Sequence, residues 1–392
     1  MNKWGWMEEE LGMLQEQHLY RQVKVIESAQ SSHVQYRGRD MLMLASNSYL
    51  DLCAQDCIKE YAAQVLREYG TGSGGSRLTT GTTKIHMELE ESLARFKGRE
   101  GAVVFNTGFA ANSGILPVLC RKGDVIYSDA LNHASIIDGC RQSGAETVIY
   151  AHNDMADLEK KILAHPGRRG LIVSDGVFSM DGDIVDLPGL VELADTYGLL
   201  SMIDEAHATG VVGASGRGCE EYFHMEGRTD ILMGTLSKAL GAEGGYVCGP
   251  RVLTEYLQNK ARSYIFSTSL SPVSMGAAKR ALELLEEEPW RVRRLQDNVK
   301  WFCGQLQEEG IPARSETAIV PVLVGDEEAA MEISRQLQEE GYFIPAIRYP
   351  TVRKGEAILR VALMATHTRE ELAGAARAIG TAVRQWKRNE KN

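Results

Sequence analysis

The chain has 392 residues, 44% hydrophobic and 24% charged, a balance that excludes disorder, collagen-like repeats and a disulfide-stapled miniature and leaves room for two domains. A formal net charge of −10 sets the global field against nucleic acid and anionic lipid, and no apolar run approaches the roughly 18 residues that a membrane span needs. The seven cysteines are odd in number and scattered, which predicts reduced thiols in a cytoplasm rather than disulfides or a structural metal.

Residues 1–45 read as an N-terminal arm: an amphipathic helix, then a short strand pair around the polar turn Tyr36-Arg37-Gly38-Arg39-Asp40. The opening MNKWGWMEEE turns acidic at once and lacks the apolar core of a signal peptide. From about 100 to 250, short β-rich runs alternate with helical stretches, at 102–106, 125–128, 147–150, 171–174, 200–204, 231–234 and 246–248. Several are apolar throughout, as strands buried on both faces are. The alternation predicts βα units and a mostly parallel central sheet in a large α/β domain, 46–290. Beyond Pro272 long amphipathic helices take over, with two further strands at 319–324 and 357–363. These predict a smaller C-terminal α/β domain, 291–392.

In an open α/β sheet, ligands sit beyond the carboxyl ends of the strands. There the sequence places Asp204 after Leu200-Ser201-Met202-Ile203, and Thr235-Leu236-Ser237-Lys238 after Ile231-Leu232-Met233-Gly234. Burial of a lysine cation is costly, and an amine nucleophile is the useful exception. Thr107-Gly108-Phe109-Ala110 opens a helix after a strand, and free amide groups at such a start suit a phosphate. One lysine, one aspartate for a pyridine nitrogen and one helix N-terminus match the three poles of pyridoxal 5'-phosphate, PLP.

Each feature also has a structural reading. Lys238 alone reads as a snorkelling surface lysine, Asp204 as a cap or ion pair, and Gly108 as an ordinary helix start. Their joint appearance at strand ends favours the cofactor. Asp204-Glu205-Ala206-His207 spells a helicase box, but no G-x-x-x-x-G-K-[ST] phosphate loop accompanies it. The run Gly70-Thr71-Gly72-Ser73-Gly74-Gly75 is not a dinucleotide fingerprint, and it reads as a close-approach loop near the site.

At this point the chain resembles the α-oxoamine synthases, a PLP-dependent family of fold type I. The resemblance runs nearly end to end. Its landmarks are Ser46-Asn47-Ser48-Tyr49-Leu50, GTGSGGSRLTTG at 70–81, Asn132-His133-Ala134-Ser135, DGVFSMDG at 175–182, DEAHATG at 204–210, Thr235-Leu236-Ser237-Lys238, Ala346-Ile347-Arg348-Tyr349-Pro350-Thr351-Val352 and Leu359-Arg360. Segments 70–81, 235–245 and 346–352 are most similar to the branch that condenses L-alanine with a pimeloyl thioester, on coenzyme A or acyl-carrier protein, in biotin biosynthesis. The glycine-using siblings, glycine C-acetyltransferase (2-amino-3-ketobutyrate CoA ligase) and 5-aminolevulinate synthase, are the alternatives. Ser48 and Asp51 depart from the more usual N-x-Y-L-G-L spelling.

The resemblance implies a homodimer with active sites at the subunit interface. It implies that Lys238 carries the cofactor, Asp204 holds the pyridine nitrogen, and His133 stacks on the ring. His207 and Ser179 would lie near the phenolic oxygen, while Gly108, Phe109 and Thr235 would help hold the phosphate. Arg360, with Asn47, would bind the amino-acid carboxylate; Arg21 and Thr351 would contact substrate, and Arg348 the far end of the acyl chain. The structural alternatives are a helix cap for His133, a buried carbonyl for His207, a turn for Ser179 and an internal carboxylate for Arg360.

Overall fold

The computed structural model describes residues 2–17 and 19–389. The arm begins with a helix, Gly5–Glu16, that buries none of its side chains. Strands β1 (His33–Tyr36) and β2 (Arg39–Met43) then pair antiparallel. Their two turn residues, Arg37 and Gly38, have φ of 52° and 68°. This mirror-image turn geometry matches the twist of the strands it joins.

The main sheet holds β3 (Gly101–Phe105), β4 (Val125–Asp129), β5 (Glu146–Tyr150), β6 (Gly170–Asp175), β7 (Leu200–Asp204), β8 (Ile231–Thr235) and β9 (Gly245–Gly249), in the order β3-β9-β8-β7-β6-β4-β5. Strands β4 to β8 run parallel. Every residue of β4, β6, β8 and β9 is buried, as their apolar runs require of strands covered on both faces. Strand β9 is antiparallel to β3 and β8. The cause is local: residues 236–244 contain no helix, and so short a connection cannot cross over to a parallel neighbour. Since β3 and β8 both oppose β9, they point the same way. The carboxyl ends of β3, β4, β6, β7 and β8 therefore gather on one edge.

The C-terminal part adds β10 (Ile319–Gly325), β11 (Tyr342–Phe343), β12 (Ala346–Ile347) and β13 (Ala357–Ala362), with β13 antiparallel to both β10 and β12. Strand β11 pairs parallel with β2, so the arm hairpin and the C-terminal part share a sheet. Backbone bonds from Ala362 N to Leu44 O, 2.9 Å, and from Ala365 N to Tyr49 O, 2.8 Å, lay the segment after the hairpin along the end of β13. Asp51 takes a left-handed conformation there, φ 56°. Its buried carboxylate accepts from Ser31 Oγ at 3.0 Å and Thr366 Oγ1 at 2.9 Å, which compensates for an unfavourable backbone shape. One apolar cluster runs from Leu44, Tyr49 and Leu50 through Ile203 and Leu236 to Val320, Leu359 and Val361.

Candidate active site

A cleft of about 630 Å3 opens at the shared edge of the main sheet. Asp204 ends β7 there, 3% exposed, with its carboxylate fixed from two sides. Asn112 Nδ2 donates to Oδ2 at 2.8 Å, and the amide of Ala206 donates to Oδ1 at 2.9 Å. Asn112 also donates to Ser135 Oγ at 2.9 Å. It is a fully buried polar residue inside the helix Gly108–Leu119, where only a fixed partner repays its desolvation.

Lys238 lines the same cleft, three residues beyond β8. Burial lowers its pKa to about 8, with Arg360 pushing the same way against the carboxylates of Asp204 and Asp175. Among the described residues its Nζ has no hydrogen-bond partner. Asp175, buried at the end of β6 near the Asp204 charge, has its pKa raised well above the ordinary range.

On the opposite flank, the helix Gly108–Leu119 starts against β8 and β9. Thr107 caps it, its Oγ1 accepting from Ala110 N at 2.9 Å. The amides of Gly108 and Phe109 precede the first internal helix bonds. A Cβ on Gly245 would lie 2.5 Å from Thr107 O and 2.6 Å from Gly108 N, so only glycine lets the helix start sit this close to β9. Thr235 Oγ1 and Ser237 Oγ, 2.8 Å apart, complete this corner of the lining.

His133 lines the cleft and also caps the helix Ala134–Ser143, its Nδ1 3.3 Å from Ser135 N and 2.8 Å from Ser135 Oγ. Its backbone amide donates to Asp175 Oδ2 at 2.8 Å. Burial lowers its pKa, and the charge of Lys238 adds to this while Asp204 opposes it. His207 is pushed well below its ordinary value by burial and by Lys238, Arg360 and His133, and so stays neutral. Its Nδ1 lies 2.7 Å from the hydroxyl of Tyr49, which donates to Asn47 Oδ1 at 3.0 Å. Arg360 Nη2 donates to the same oxygen at 3.3 Å, and Arg360 Nε to the carbonyl of Ser179 at 2.7 Å. Arg360 is 6% exposed. Among the described residues no carboxylate pairs with it, so the internal partner considered from the sequence is not there.

The cleft thus brings together Gly108, Phe109, His133, Ser179, Asp204, His207, Thr235 and Lys238, with Asn47 and Arg360 bonded to its rim. Three expected substrate contacts lie outside its lining. Arg21 is exposed on the arm, whose next three residues line a separate groove with the helix Glu327–Glu339. Arg348 and Thr351 form a turn between β12 and β13, closed by Thr351 N donating to Arg348 O at 3.0 Å. The Gly-rich loop 70–81 packs on residues 268–269 instead of the cleft, through Ser269 N to Gly75 O, 2.9 Å, and Ser73 Oγ to Ser269 O, 2.8 Å. Asn112 is the residue that the sequence did not single out, while Tyr49, Ser135 and Asp175 stood within its landmark motifs without an assigned role. Glu205, the second letter of the helicase-like box, points away from Asp204 by strand alternation and pairs with buried Lys97, which also donates to Thr209 Oγ1 at 2.9 Å.

The lining fits PLP pole by pole: an amine at Lys238, a fixed carboxylate at Asp204, and a helix start held open by glycine for a phosphate. The profile of the family "Aminotransferase class I and II" matches residues 39–379. An 8-amino-7-oxononanoate synthase of Geobacter sulfurreducens is 50% identical over 374 residues, 94% of this chain and 96% of that one. A serine palmitoyltransferase variant from S. paucimobilis, solved with PLP and myriocin bound, superposes with a TM-score of 0.92 at 32% identity over 98% of both chains. An 8-amino-7-oxononanoate synthase of Francisella tularensis does so with a TM-score of 0.77 at 29% identity, covering 88% of this chain and 99% of that one. Fold, cleft and relatives agree: the chain belongs to the class I and II aminotransferase family of PLP enzymes, among its α-oxoamine synthases.

Proposed function

We propose that the chain joins L-alanine to a pimeloyl thioester, on coenzyme A or acyl-carrier protein, giving 8-amino-7-oxononanoate, CO2 and free thiol for biotin biosynthesis. The observation that carries the amino-acid half is Arg360, a buried guanidinium with no carboxylate partner among the described residues, bonded to Asn47 and to the rim of the Lys238 cleft. The name of the relatives supports the acyl half. In this reading Lys238, Asp204, His133, Ser179, His207, Gly108, Phe109 and Thr235 hold the cofactor. When bound, PLP supplies an electron sink for negative charge developing at the substrate Cα.

The chain's own residues do the rest. Arg360 and Asn47 clamp the alanine carboxylate and fix which Cα bond faces Lys238. Lys238 Nζ, its basicity lowered by burial, takes the Cα proton. Cα attacks the thioester carbonyl; the carbon–sulfur bond breaks and the thiolate takes a proton from solvent. CO2 leaves from the former alanine carboxylate, and Lys238 returns a proton to Cα. Arg348, in the turn that leads to the strand of Arg360, is the proposed contact for the far end of the acyl chain, and Thr351 of the same turn and Arg21 of the arm are proposed substrate contacts. We place the enzyme in the cytoplasm as a homodimer; no helix among the described residues is long and apolar enough to cross a membrane.

Incubation with L-alanine and pimeloyl-CoA, read by mass spectrometry, is expected to give 8-amino-7-oxononanoate with stoichiometric thiol release. Product formed only from glycine and a short acyl-CoA would overturn this in favour of glycine C-acetyltransferase. Arg360→Lys is expected to raise the apparent alanine constant about tenfold or more, because a point charge replaces a planar fork. An equal loss for both substrates with a lowered melting temperature would assign Arg360 a structural role.

A further inference from the structure

His152 takes no part in the chemistry above, yet its imidazole is gripped at both ends by carboxylates from different segments. Nδ1 lies 3.0 Å from Asp129 Oδ1 and Nε2 lies 2.8 Å from Asp183 Oδ2. The ring stands edge-on to Phe178, centroids 4.4 Å apart at 84°. Each aspartate sits in a stretch of chain that leads to the cleft wall. Asp129 ends β4 and receives Leu131 N at 2.8 Å and Asn153 N at 2.9 Å, just ahead of His133. Asp183 closes a turn with Phe178, its carbonyl accepting from Phe178 N at 3.1 Å, and Gly182 N donates to Phe178 O at 2.9 Å. That turn contains Ser179, whose carbonyl holds Arg360. Asn153 supports the same joint, donating to Asp183 Oδ2 and to Ile184 O, both at 3.1 Å.

A neutral imidazole has one N–H and one bare nitrogen, so between two carboxylates it satisfies only one. The imidazolium satisfies both. Burial lowers the pKa of His152, but the hydrogen bonds and charges of Asp129 and Asp183 outweigh it and raise the value to about 10. The titratable groups facing this joint are Asp129, Asp183, Asp181, Asp175 and Tyr150; Asp181 senses the His152 charge, and Asp175 and Tyr150 sense that of Asp129. A raised folded value means that the stabilisation is complete below the ordinary histidine range and is lost as pH climbs through about 10.

We propose that His152 is a positioning residue: through its two ion pairs it pins the segment carrying His133 to the turn carrying Ser179, and so sets the span between the ring-facing histidine and the carboxylate clamp at Arg360. The role in alanine binding rests on the function proposed above. The test uses the full-length protein. Nitrogen-15 NMR near about pH 8, assigned by the signal missing from His152→Gln, is expected to show both ring nitrogens protonated. His152→Gln is expected to raise the apparent alanine constant about tenfold while kcat at saturating alanine changes less than about threefold. The wild-type alanine constant is expected to worsen as pH passes about 10, and this step to vanish in the variant. Asp183→Asn removes one ion pair only and is expected to give a smaller shift in the same direction, which keeps the test open if His152→Gln fails to fold. A lowered melting temperature with unchanged alanine constant in both variants, or a neutral His152 ring near about pH 8, would overturn the proposal. Failure of the wild type to use alanine would instead overturn the proposed reaction, while the NMR result on His152 would stand.

Discussion

Lys238 is kept where its cation is poorly solvated, and folding bears the cost of that placement. Its pKa falls from 10.5 to about 8 in the folded protein. Between those values the unfolded chain binds more protons, so this residue's contribution makes stability rise with pH across the window; below about 8 the penalty is complete. Lys238→Met apoprotein is therefore expected to melt roughly 2–5 °C higher than wild type at neutral pH, with the gap closing above about pH 10.5. Calorimetry of the two apoproteins across pH checks it, and an equal or lower melting point for the variant would refute the penalty. Lys238 and Asp204 were legible from sequence because each follows an apolar strand run, where a charge has no ordinary reason to sit. Asn112 was not. It lies among alanines and small residues in a helix, and its partner Asp204 is on a strand far along the chain. Tyr49 likewise looks apolar in sequence, and only the fold reveals its hydroxyl between Asn47 and His207.

At the scale of elements, the corner where the helix Gly108–Leu119 meets β8 and β9 rests on backbone contact. Gly245→Ala places a methyl group within 2.5 Å of Thr107 O, in immobile main chain rather than at the tip of a side chain. The helix start must move outward, and its amides leave the position in which they meet a phosphate. Gly245→Ala is expected to lose PLP at least about tenfold more readily on dialysis, with a modest fall in melting temperature. Retention equal to wild type would place the phosphate elsewhere. All seven strands of the main sheet were legible as short β-rich runs; two-sided burial makes β4, β6, β8 and β9 apolar, whereas β5 at the sheet edge leaves most of its residues exposed. The direction of β9 was not read from them. Its signal was a missing helix between 235 and 245, an absence that periodicity does not display. The small strands β11 and β12, two residues each, carry no period at all.

At the scale of the whole molecule, apolar surface remains around the cleft. Phe109 lines it and is 47% exposed, and Phe266 is 71% exposed on a segment that Ser263 Oγ ties to Ala110 O at 2.6 Å. Leu78, in the Gly-rich loop, is 55% exposed. These surfaces support the homodimer proposed above, and sedimentation is expected to give twice the chain mass at assay concentration. The geometry also assigns Asn47 to the cleft of its own chain, through Tyr49, His207 and Arg360. Mixing a Lys238→Ala chain with an Asn47→Ala chain is therefore expected to restore no activity in demonstrated heterodimers. Recovery toward a quarter or half of wild-type turnover would mean that Asn47 serves the neighbouring subunit.

Asp204 and Glu205 are adjacent in sequence, yet the sheet separates them like the two sides of a wall. Behind Asp204, Glu205 and Lys97 neutralise each other, and Glu205 Oε1 also accepts from Cys219 N at 2.7 Å. That back face is where heat tolerance and turnover become independent design variables. Removing Lys97 alone strands a buried carboxylate and is expected to cost about 3–5 kcal/mol, whereas replacing both partners with apolar groups of matched volume leaves no stranded charge, only the Cys219 amide and the Arg217 carbonyl without their side-chain partners, and is expected to cost less. An engineer adjusting this enzyme's working temperature would start there, on residues the substrate never meets, and would read success as a changed melting point at unchanged kcat.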